Sequence, residues 1–309
     1  MVALKMKWNK KMKKHAYLIM AHTQPELLKV LMKMLDDERN DIYIHIDSKA
    51  KDFPIDEILS VTQKASCYVT ERTDVTWGGY SQIHCEMVLL KEAVKTEHSY
   101  YHLLSGMDLP IKTQDEIHRF FEKYDGLEFV DEEFSEISEA SLARVKYSHR
   151  FYGPAGSVKD LLGAVETKVQ KLFGVDRTKK YRDIQFQKGR NWFSITHGLA
   201  MLIVKKEPWI KEVFGKTVCG DELFLQTIAR NSKFCDKICN SNTMPEISDT
   251  RYIDWERGSN NNPYVFRESD YEELQNAKGL FARKFDWNVD RQIIERLREY
   301  DLDFNAGRE

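Results

Sequence analysis

Short apolar runs alternate with amphipathic segments through the first third of the chain, and this alternation constrains the fold more than any other feature. Strand-like runs occupy residues 15–21, 41–49, 65–70 and 99–107. Between the first two, Pro25 opens a segment whose apolar residues recur at helical spacing, and another helix is predicted to begin near Tyr80. Repeated strand–helix–strand units predict an α/β fold with a mixed, mainly parallel central sheet flanked by helices.

The second half of the chain has a different pattern. Residues 157–181 are Lys-rich and amphipathic, with the leucines and valines on one side. This favours a helix that packs its apolar side on the domain, with a membrane-surface or partner role as the alternative. Residues 189–208 predict a strand followed by a helix. Residues 219–231 predict a polar loop that leads into a helix with Asp221 and Glu222 in its first turn.

Composition excludes several classes of protein. Lys and Arg number 47 against 49 Asp and Glu, so no overall basic field attracts nucleic acid. The longest apolar runs fall short of the roughly 20 residues that a membrane span needs, and the basic start lacks the apolar region of a secretory signal. The five cysteines, an odd number, indicate reduced thiols. We expect a soluble cytoplasmic protein of one large domain or two closely joined ones. Peripheral contact with the inner face of the membrane is an alternative that the composition does not exclude.

Polar residues follow the predicted strands at three places. They are "HIDSK" at 45–49, "SGMDLP" at 105–110 and the "GDE" loop at 220–222. In open α/β sheets, ligands bind beyond the carboxyl ends of the strands. Asp47 could accept hydrogen bonds from a nucleoside or cap the following turn. Asp108 could serve a ligand or form the turn before a proline.

Several familiar sites are absent from the sequence. It contains no Gly-rich dinucleotide or P-loop motif and no G-x-S-x-G elbow. The only Asp-x-Asp triplet, at 301–303, lies in the C-terminal tail, so cations rather than a metal should neutralise any bound diphosphate. Arg283 and Lys284, flanked by apolar residues, suit that task, although most such pairs are solvated surface cations. Glu222 is a candidate base, or, like Asp221, merely a partner of the helix dipole.

Six motifs occur in an order that resembles glycosyltransferase family 14, the core 2/I-branching β-1,6-N-acetylglucosaminyltransferases, to which peptide O-xylosyltransferases are similar. The motifs are "IYIHIDSK" (42–49), Trp77, "LLSGMDLPIKT" (103–113), "GRNWFSIT" (189–196), "GDELFLQTI" (220–228) and "LFARKFD" (280–286). The resemblance implies a GT-A-like fold and an inverting, metal-independent transferase without a cofactor, with a UDP-sugar donor. It places Glu222 on the catalytic base, Lys284 on a cation that binds the donor diphosphate, and Asp47 on an acid that contacts uridine.

The chain departs from the animal members of this family at the donor site. Their second diphosphate-binding cation would fall near Asn261 here. Arg257, Arg251 or Arg283 would have to replace it, and Arg257 is our prediction.

A tyrosine near the donor in those enzymes is matched by Asp74, which we assign to the donor side together with Trp77. The cysteine before the "GMD" motif is Ser105. Trp192 could equally be a core aromatic. The residues assigned to the acceptor or the cleft are Ser105, Asp108, Asp131, Glu133, Trp192, Asp221 and Trp255.

The resemblance also implies a domain plan and an activity. The predicted units are a basic segment at 1–14, a catalytic domain at 15–290 with donor-binding (15–130) and acceptor (131–290) halves, and a charged helix and tail at 291–309. We expect a bacterial-type enzyme that transfers N-acetylglucosamine to an oligosaccharide or lipid-linked glycan in capsule or exopolysaccharide synthesis, as a β-1,6 branch. The alternatives are UDP-xylose or UDP-glucose as donor, or a catalytically silent glycan-binding protein.

Overall fold

A six-stranded sheet lies at the centre of the protein, and a three-stranded sheet lies beside it. The computed structural model describes residues 13–131, 136–153, 156–239, 250–259 and 262–306. The strands are β1 His15–Ala21, β2 Asn40–Ile46, β3 Ser66–Val69, β4 Tyr100–Ser105, β5 Asp108–Pro110, β6 Phe129–Val130, β7 Phe193–Thr196, β8 Arg251–Ile253 and β9 Phe281–Arg283.

The larger sheet has the order β3-β2-β1-β4-β7-β6. Its first four strands are parallel, and β7 runs antiparallel to β4 and β6. The smaller sheet has the order β5-β9-β8. The mixed, mainly parallel α/β architecture predicted from the sequence is therefore confirmed, and residues 15–130 and 131–290 contribute strands to both sheets.

Helices connect most of the strands, and one follows the last strand. They are α1 Pro25–Met34, α2 Ile55–Leu59, α3 Tyr80–Ala93, α4 Gln114–Lys123, α5 Glu139–Lys146, α6 Val158–Leu172, α7 His197–Lys205, α8 Glu207–Phe214, α9 Phe224–Arg230, α10 Tyr271–Asn276 and α11 Arg291–Ala306. Two of the helix starts carry ordinary sequence signals: Pro25 is the first residue of α1, and Thr113 and Glu116 form a capping box before α4. In the part of the chain described, no helix is long and apolar enough to cross a membrane.

Both faces of the larger sheet are covered. Tyr17 and Ile19 of β1 pack in a core with α1 and α11, whereas Ala16 and Leu18 pack in a second core with α3 and α7. All seven residues of β2 are consequently buried, polar ones included. His45 is satisfied there, because its Nε2 lies 2.9 Å from the Thr73 hydroxyl.

Three histidines lie buried within the first core. His102 Nε2 is 3.1 Å from His15 Nδ1, and the ring centroids of His15 and His118 are 4.1 Å apart. His118 Nε2 hydrogen-bonds with the Asn40 side-chain oxygen at 3.0 Å. Burial is the main cause that lowers the pKa of all three, and it lowers the pKa of His118 to about 4. These histidines are therefore neutral core residues near pH 7.

The Lys-rich segment at 157–181 differs from its prediction. The α-helix ends at Leu172, and a separate 3-10 helix spans Arg177–Tyr181. No residue of α6 is buried, and its apolar side faces solvent, with Leu161 67% and Leu172 82% exposed. The prediction that this side packs on the domain is wrong, because an amphipathic pattern defines an apolar side without defining what covers it.

Candidate active site

The carboxyl ends of three parallel strands meet at one edge of the larger sheet. The register pairs Ala21 of β1 with Ile46 of β2, and Met20 of β1 with Ser105 of β4. The residues that follow these strands therefore leave the sheet side by side, as expected for a ligand site in an α/β fold.

Asp47 is buried and forms the turn after β2. Its Oδ1 accepts the Lys49 N–H at 2.9 Å, and the Asp47 carbonyl accepts from the Arg72 guanidinium at 2.9 Å. The Lys49 ammonium donates to Asp74 at 2.9 Å and lies 3.7 Å from the Asp47 carboxylate. The structure thus brings Asp47 and Asp74 together through Lys49 and shows the turn role of Asp47. The uridine contact stays a prediction.

Asp108 anchors a cation. The residue is 1% exposed. Its Oδ2 accepts a hydrogen bond from the Ser105 N–H at 2.8 Å. Its Oδ1 accepts two, from the Ser105 hydroxyl at 2.9 Å and from Arg283 Nη1 at 2.7 Å. Arg283 also donates to the Ser105 hydroxyl, and the β5–β9 register pairs Asp108 with Arg283. The "SGMD" turn after β4 therefore fixes the position of Arg283.

Arg283 and Lys284 form a partly buried pair of cations. The Arg283 guanidinium lies 4.8 Å from the centre of the buried Trp192 ring. Burial lowers the pKa of Lys284, and the neighbouring Arg283 lowers it further. Within the described ranges, no carboxylate lies within ion-pair distance of the Lys284 ammonium. A partly desolvated cation next to an arginine is suited to bind an anion from solution.

His22 is close enough to Asp47 and to the cation pair for their charges to shift its pKa, and sequence reasoning missed this residue. It follows β1 directly, and burial lowers its pKa. Asp47 raises that pKa, whereas Lys284 and Arg283 lower it further. His22 therefore lies within electrostatic range of both predicted donor-binding groups.

Glu222 lies in a short 3-10 helix, Gly220–Glu222, rather than in the first turn of an α-helix as predicted, since α9 begins at Phe224. Arg144 of α5 donates to its carboxylate at 2.6 Å, and both side chains are about one-third exposed, at 28% and 35%. The sequence did not single out Arg144, because 78 residues separate the two groups. The ion pair fixes the orientation of the Glu222 carboxylate.

Two further carboxyl groups lie behind Glu222. Asp221 is buried, its Oδ1 has no hydrogen-bond partner among the described residues, and burial together with Glu222 raises its pKa to about 7. Glu86 of α3 is fully buried, and neither of its carboxyl oxygens is hydrogen-bonded within that part of the chain. Burial and Asp221 raise the Glu86 pKa well above its usual range. The Asp221 carboxyl is held against the turn by backbone hydrogen bonds at Asp221 and Glu222.

The loop at 187–192 joins the Glu222 turn to the cation pair. Gly189 donates its N–H to the Glu222 carbonyl at 3.0 Å. Arg190 pairs with Asp131 at 2.6 Å, and the Gln226 amide donates to the Arg190 carbonyl at 2.7 Å. Trp192, two residues later, lies under Arg283. Asp131 is thus placed beside the loop, whereas Glu133 lies outside the described residues.

Trp77 belongs to a loop that is bonded to the segment before the Glu222 turn. It is 70% exposed, and its ring centre is 6.2 Å from that of Tyr152. Gly78 has φ +72°, and a Cβ there would lie 2.6 Å from the Tyr152 hydroxyl, so only glycine fits. Its carbonyl accepts the Cys219 N–H at 2.8 Å, which ties this loop to the residue before the "GDE" turn.

The candidate replacements for the second cation differ in their surroundings. Arg251 is buried and donates to the carbonyls of Leu103 and Phe193.

Arg257 lies 4.2 Å from the ring of Tyr264 and forms ion pairs with three carboxylates, those of Asp254, Asp270 and Glu273. Its role at the donor stays a prediction, as does that of Trp255, which is half exposed. Among the candidates, Arg283 is the one beside Lys284. In the ranges described, no three His, Cys, Asp or Glu side chains are grouped so that they could hold a metal ion.

A family model described as "Branch: Core-2/I-Branching enzyme" matches residues 15–278. The chain belongs to this core-2/I-branching enzyme family. The match confirms the resemblance inferred from the six motifs, and it covers both sheets except β9.

Curated relatives agree with this membership. Xylosyltransferase sqv-6 of Caenorhabditis briggsae is 23% identical over 284 residues, which are 84% of this chain and 33% of the relative. Human xylosyltransferase 1 is 22% identical over 92% of this chain and 30% of its own length. A human β-1,3-galactosyl-O-glycosyl-glycoprotein β-1,6-N-acetylglucosaminyltransferase is 31% identical over 111 residues, which are 34% of this chain and 25% of the relative. The chain spans about a third of the length of the first relatives it matches.

One solved structure that is similar is mouse xyloside xylosyltransferase 1 in its apo form. The alignment covers 87% of this chain and 97% of the mouse chain, with a TM-score of 0.36 and 8% sequence identity. That likeness is too distant to bear on the site. The core-2/I-branching family membership therefore rests on the sequence matches.

Proposed function

We propose that this core-2/I-branching family member is an inverting, metal-independent glycosyltransferase that moves a sugar from a UDP-sugar to a saccharide hydroxyl. The observation that carries the proposal is that Arg144 orients the Glu222 carboxylate in a turn linked to a pair of cations. The loop at 187–192 joins the Glu222 turn to that pair, Arg283 and Lys284. A base and an anion site on a shared support are what glycosyl transfer to a hydroxyl requires.

The reaction assigns one task to each group. Glu222 takes the proton of the acceptor hydroxyl while the acceptor oxygen attacks the anomeric carbon. The bond from that carbon to the UDP oxygen breaks on the opposite face, and UDP leaves with the electron pair. Arg283 and Lys284 stabilise the negative charge that develops on the diphosphate, and Asp47 binds the uridine.

Turnover without metal is the decisive test. The purified chain is incubated with UDP-sugars and saccharide acceptors in EDTA, and released UDP is measured. Glu222→Gln should abolish release, whereas Glu212→Gln, in an exposed ion pair on α8, should not change it. Wild-type rates for Glu222→Gln would refute the assigned base, and a strict metal requirement would refute the cationic donor site. No release from any donor would favour a silent glycan-binding protein.

Donor affinity tests the other half of the site. Lys284→Ala should weaken UDP binding by about tenfold or more, because it removes a partly desolvated cation from the diphosphate. Calorimetry measures this affinity directly, with Lys278→Ala as the control for loss of a nearby lysine. Unchanged affinity would remove Lys284 from the donor site.

Two donor sugars compete within this proposal. N-acetylglucosamine follows from the branching family and from the relative named for β-1,6-N-acetylglucosaminyl transfer. Xylose is favoured by the length of the matches to proteins named xylosyltransferases. A thermal-shift panel of UDP-N-acetylglucosamine, UDP-xylose and UDP-glucose without metal distinguishes them, since the preferred donor stabilises most at equal concentration. For the acceptor we propose an oligosaccharide or lipid-linked glycan of capsule or exopolysaccharide synthesis, branched by a β-1,6 bond.

A further inference from the structure

Helix α6 attaches to the protein through its polar side. Gln170 donates to the Ser148 carbonyl and accepts the Ser148 N–H, both at 2.8 Å. Glu166 accepts the Arg150 N–H at 3.0 Å and pairs with the Arg150 guanidinium at 3.3 Å. A Cβ on Gly163 would lie 2.3 Å from the Phe151 carbonyl, so the chain passes closely there. These contacts fix which way the helix faces.

The apolar side of α6 consequently points away from the protein. Its members are exposed by 43% to 82%, and they recur at positions that share one face of a helix. We name this surface the α6 apolar face, and it consists of Val158, Leu161, Leu162, Val165, Val169, Leu172 and Phe173. An unbroken stripe of this kind on a helix whose polar side is anchored marks an interaction surface.

The charges beside the stripe indicate the occupant. Lys159, Lys168 and Lys171 are exposed on the helix. Of the two acids of α6, Glu166 pairs with Arg150, whereas Asp160 accepts the Gly156 backbone N–H and keeps its charge. Three lysines against one unpaired acid leave a net positive charge on the helix, as on helices that lie in the interface of an anionic bilayer.

The size of the face argues against a second copy of the chain. A helix of 15 residues is about 22 Å long, and with a stripe on the order of 10 Å wide it offers a few hundred Å². Stable protein interfaces bury about 800 Å² per partner, so this face alone is too small for a stable dimer. A lipid surface has no such minimum, because each apolar side chain partitions independently.

We propose that the α6 apolar face inserts into the interface of an anionic membrane and docks the protein there, with its lysines against the lipid headgroups. The helix lies in the plane of the membrane and does not cross it. This inference stands independently of the proposed transfer reaction, since no residue of α6 takes part in it. If the acceptor is lipid-linked, docking would hold the protein on the surface that contains the acceptor.

Vesicle binding tests the proposal. The full chain is sedimented with phosphatidylcholine vesicles that contain or lack phosphatidylglycerol. We expect binding to the anionic vesicles, and Leu161→Glu combined with Leu172→Glu should weaken it by about tenfold or more. Lys168→Glu combined with Lys171→Glu should weaken it by about fivefold or more per residue. Because these side chains are already exposed, the variants should fold normally, and Met201→Glu on α7, where Met201 is 46% exposed, is the matched control.

Three results would overturn the proposal. They are absence of wild-type binding to anionic vesicles, equal loss in the Met201→Glu control, and self-association of the wild type that Leu161→Glu with Leu172→Glu abolishes. The last result, measured by light scattering without lipid, would assign the face to a second copy. UDP release with a water-soluble acceptor should stay unchanged in every variant, so failure of docking and failure of the proposed reaction are distinguishable.

Discussion

The ion pair between Asp108 and Arg283 supplies the sharpest prediction. Arg283→Met keeps much of the side-chain volume but leaves the Asp108 carboxylate, whose side chain is 2% exposed, with only its bonds to Ser105. Removing one partner of a buried pair costs about 3–5 kcal/mol. Because the Arg283 side chain is 21% exposed, we expect a loss of about 3 kcal/mol in the free energy of unfolding, including the contact with Trp192.

Urea denaturation measures this loss, and a double-mutant cycle isolates the pair. Asp108→Asn in the Arg283→Met background should recover about 1–2 kcal/mol, since the amide no longer buries a charge. Lys95→Met, which breaks an exposed pair with Glu92, should cost less than about 0.5 kcal/mol. If Arg283→Met costs no more than Lys95→Met, or if the cycle shows no coupling, then Asp108 does not position Arg283 and the reasoning fails.

Three further predictions concern the base and the titrating core. Arg144→Met should lower kcat by about tenfold or more with little change in KM, because Glu222 loses its orientation, whereas Arg150→Met should leave steady-state kinetics unchanged. The pKa of His118 is about 4 in the folded protein, below its ordinary 6.5, so the folded state binds fewer protons than the unfolded chain between these values. The His118 contribution to stability should therefore fall by about 3 kcal/mol as pH drops through this window, and His118→Gln should remove that part of the loss in urea titrations while the parts due to His15 and His102 remain. Asp221 has the opposite sign: its pKa of about 7 lies above the ordinary 3.8, so the folded state holds an extra proton between these values. The Asp221 contribution to stability should fall by about 4 kcal/mol as pH rises from 4 past 7, and Asp221→Asn should remove that part of the fall while the part due to Glu86 remains. A pH profile unchanged by either substitution would contradict the assigned pKa shift.

The parts of the fold that depend on local pattern could be predicted from the sequence. The strand at 15–21 and the helix starts at Pro25 and Tyr80 match the structure, because apolar periodicity and capping residues act within a few positions. The antiparallel direction of β7 and the pairing of β5 with β9 could not be predicted, because the strands that pair are distant in sequence. For the same reason Arg144 could not be predicted as the partner of Glu222, because 78 residues separate the two groups.

The sequence by itself determined the α/β class, the family and the identity of the chemical groups, because short-range periodicity and ordered motifs carry that information. Only the tertiary structure decided what each group faces. It shows that Asp108, for which the sequence left a turn role and a ligand role open, anchors Arg283. It also shows that the apolar side of α6 faces outward. The physical reason is common to both: burial, ion pairing and exposure are set by contacts between distant segments, which a local pattern does not encode.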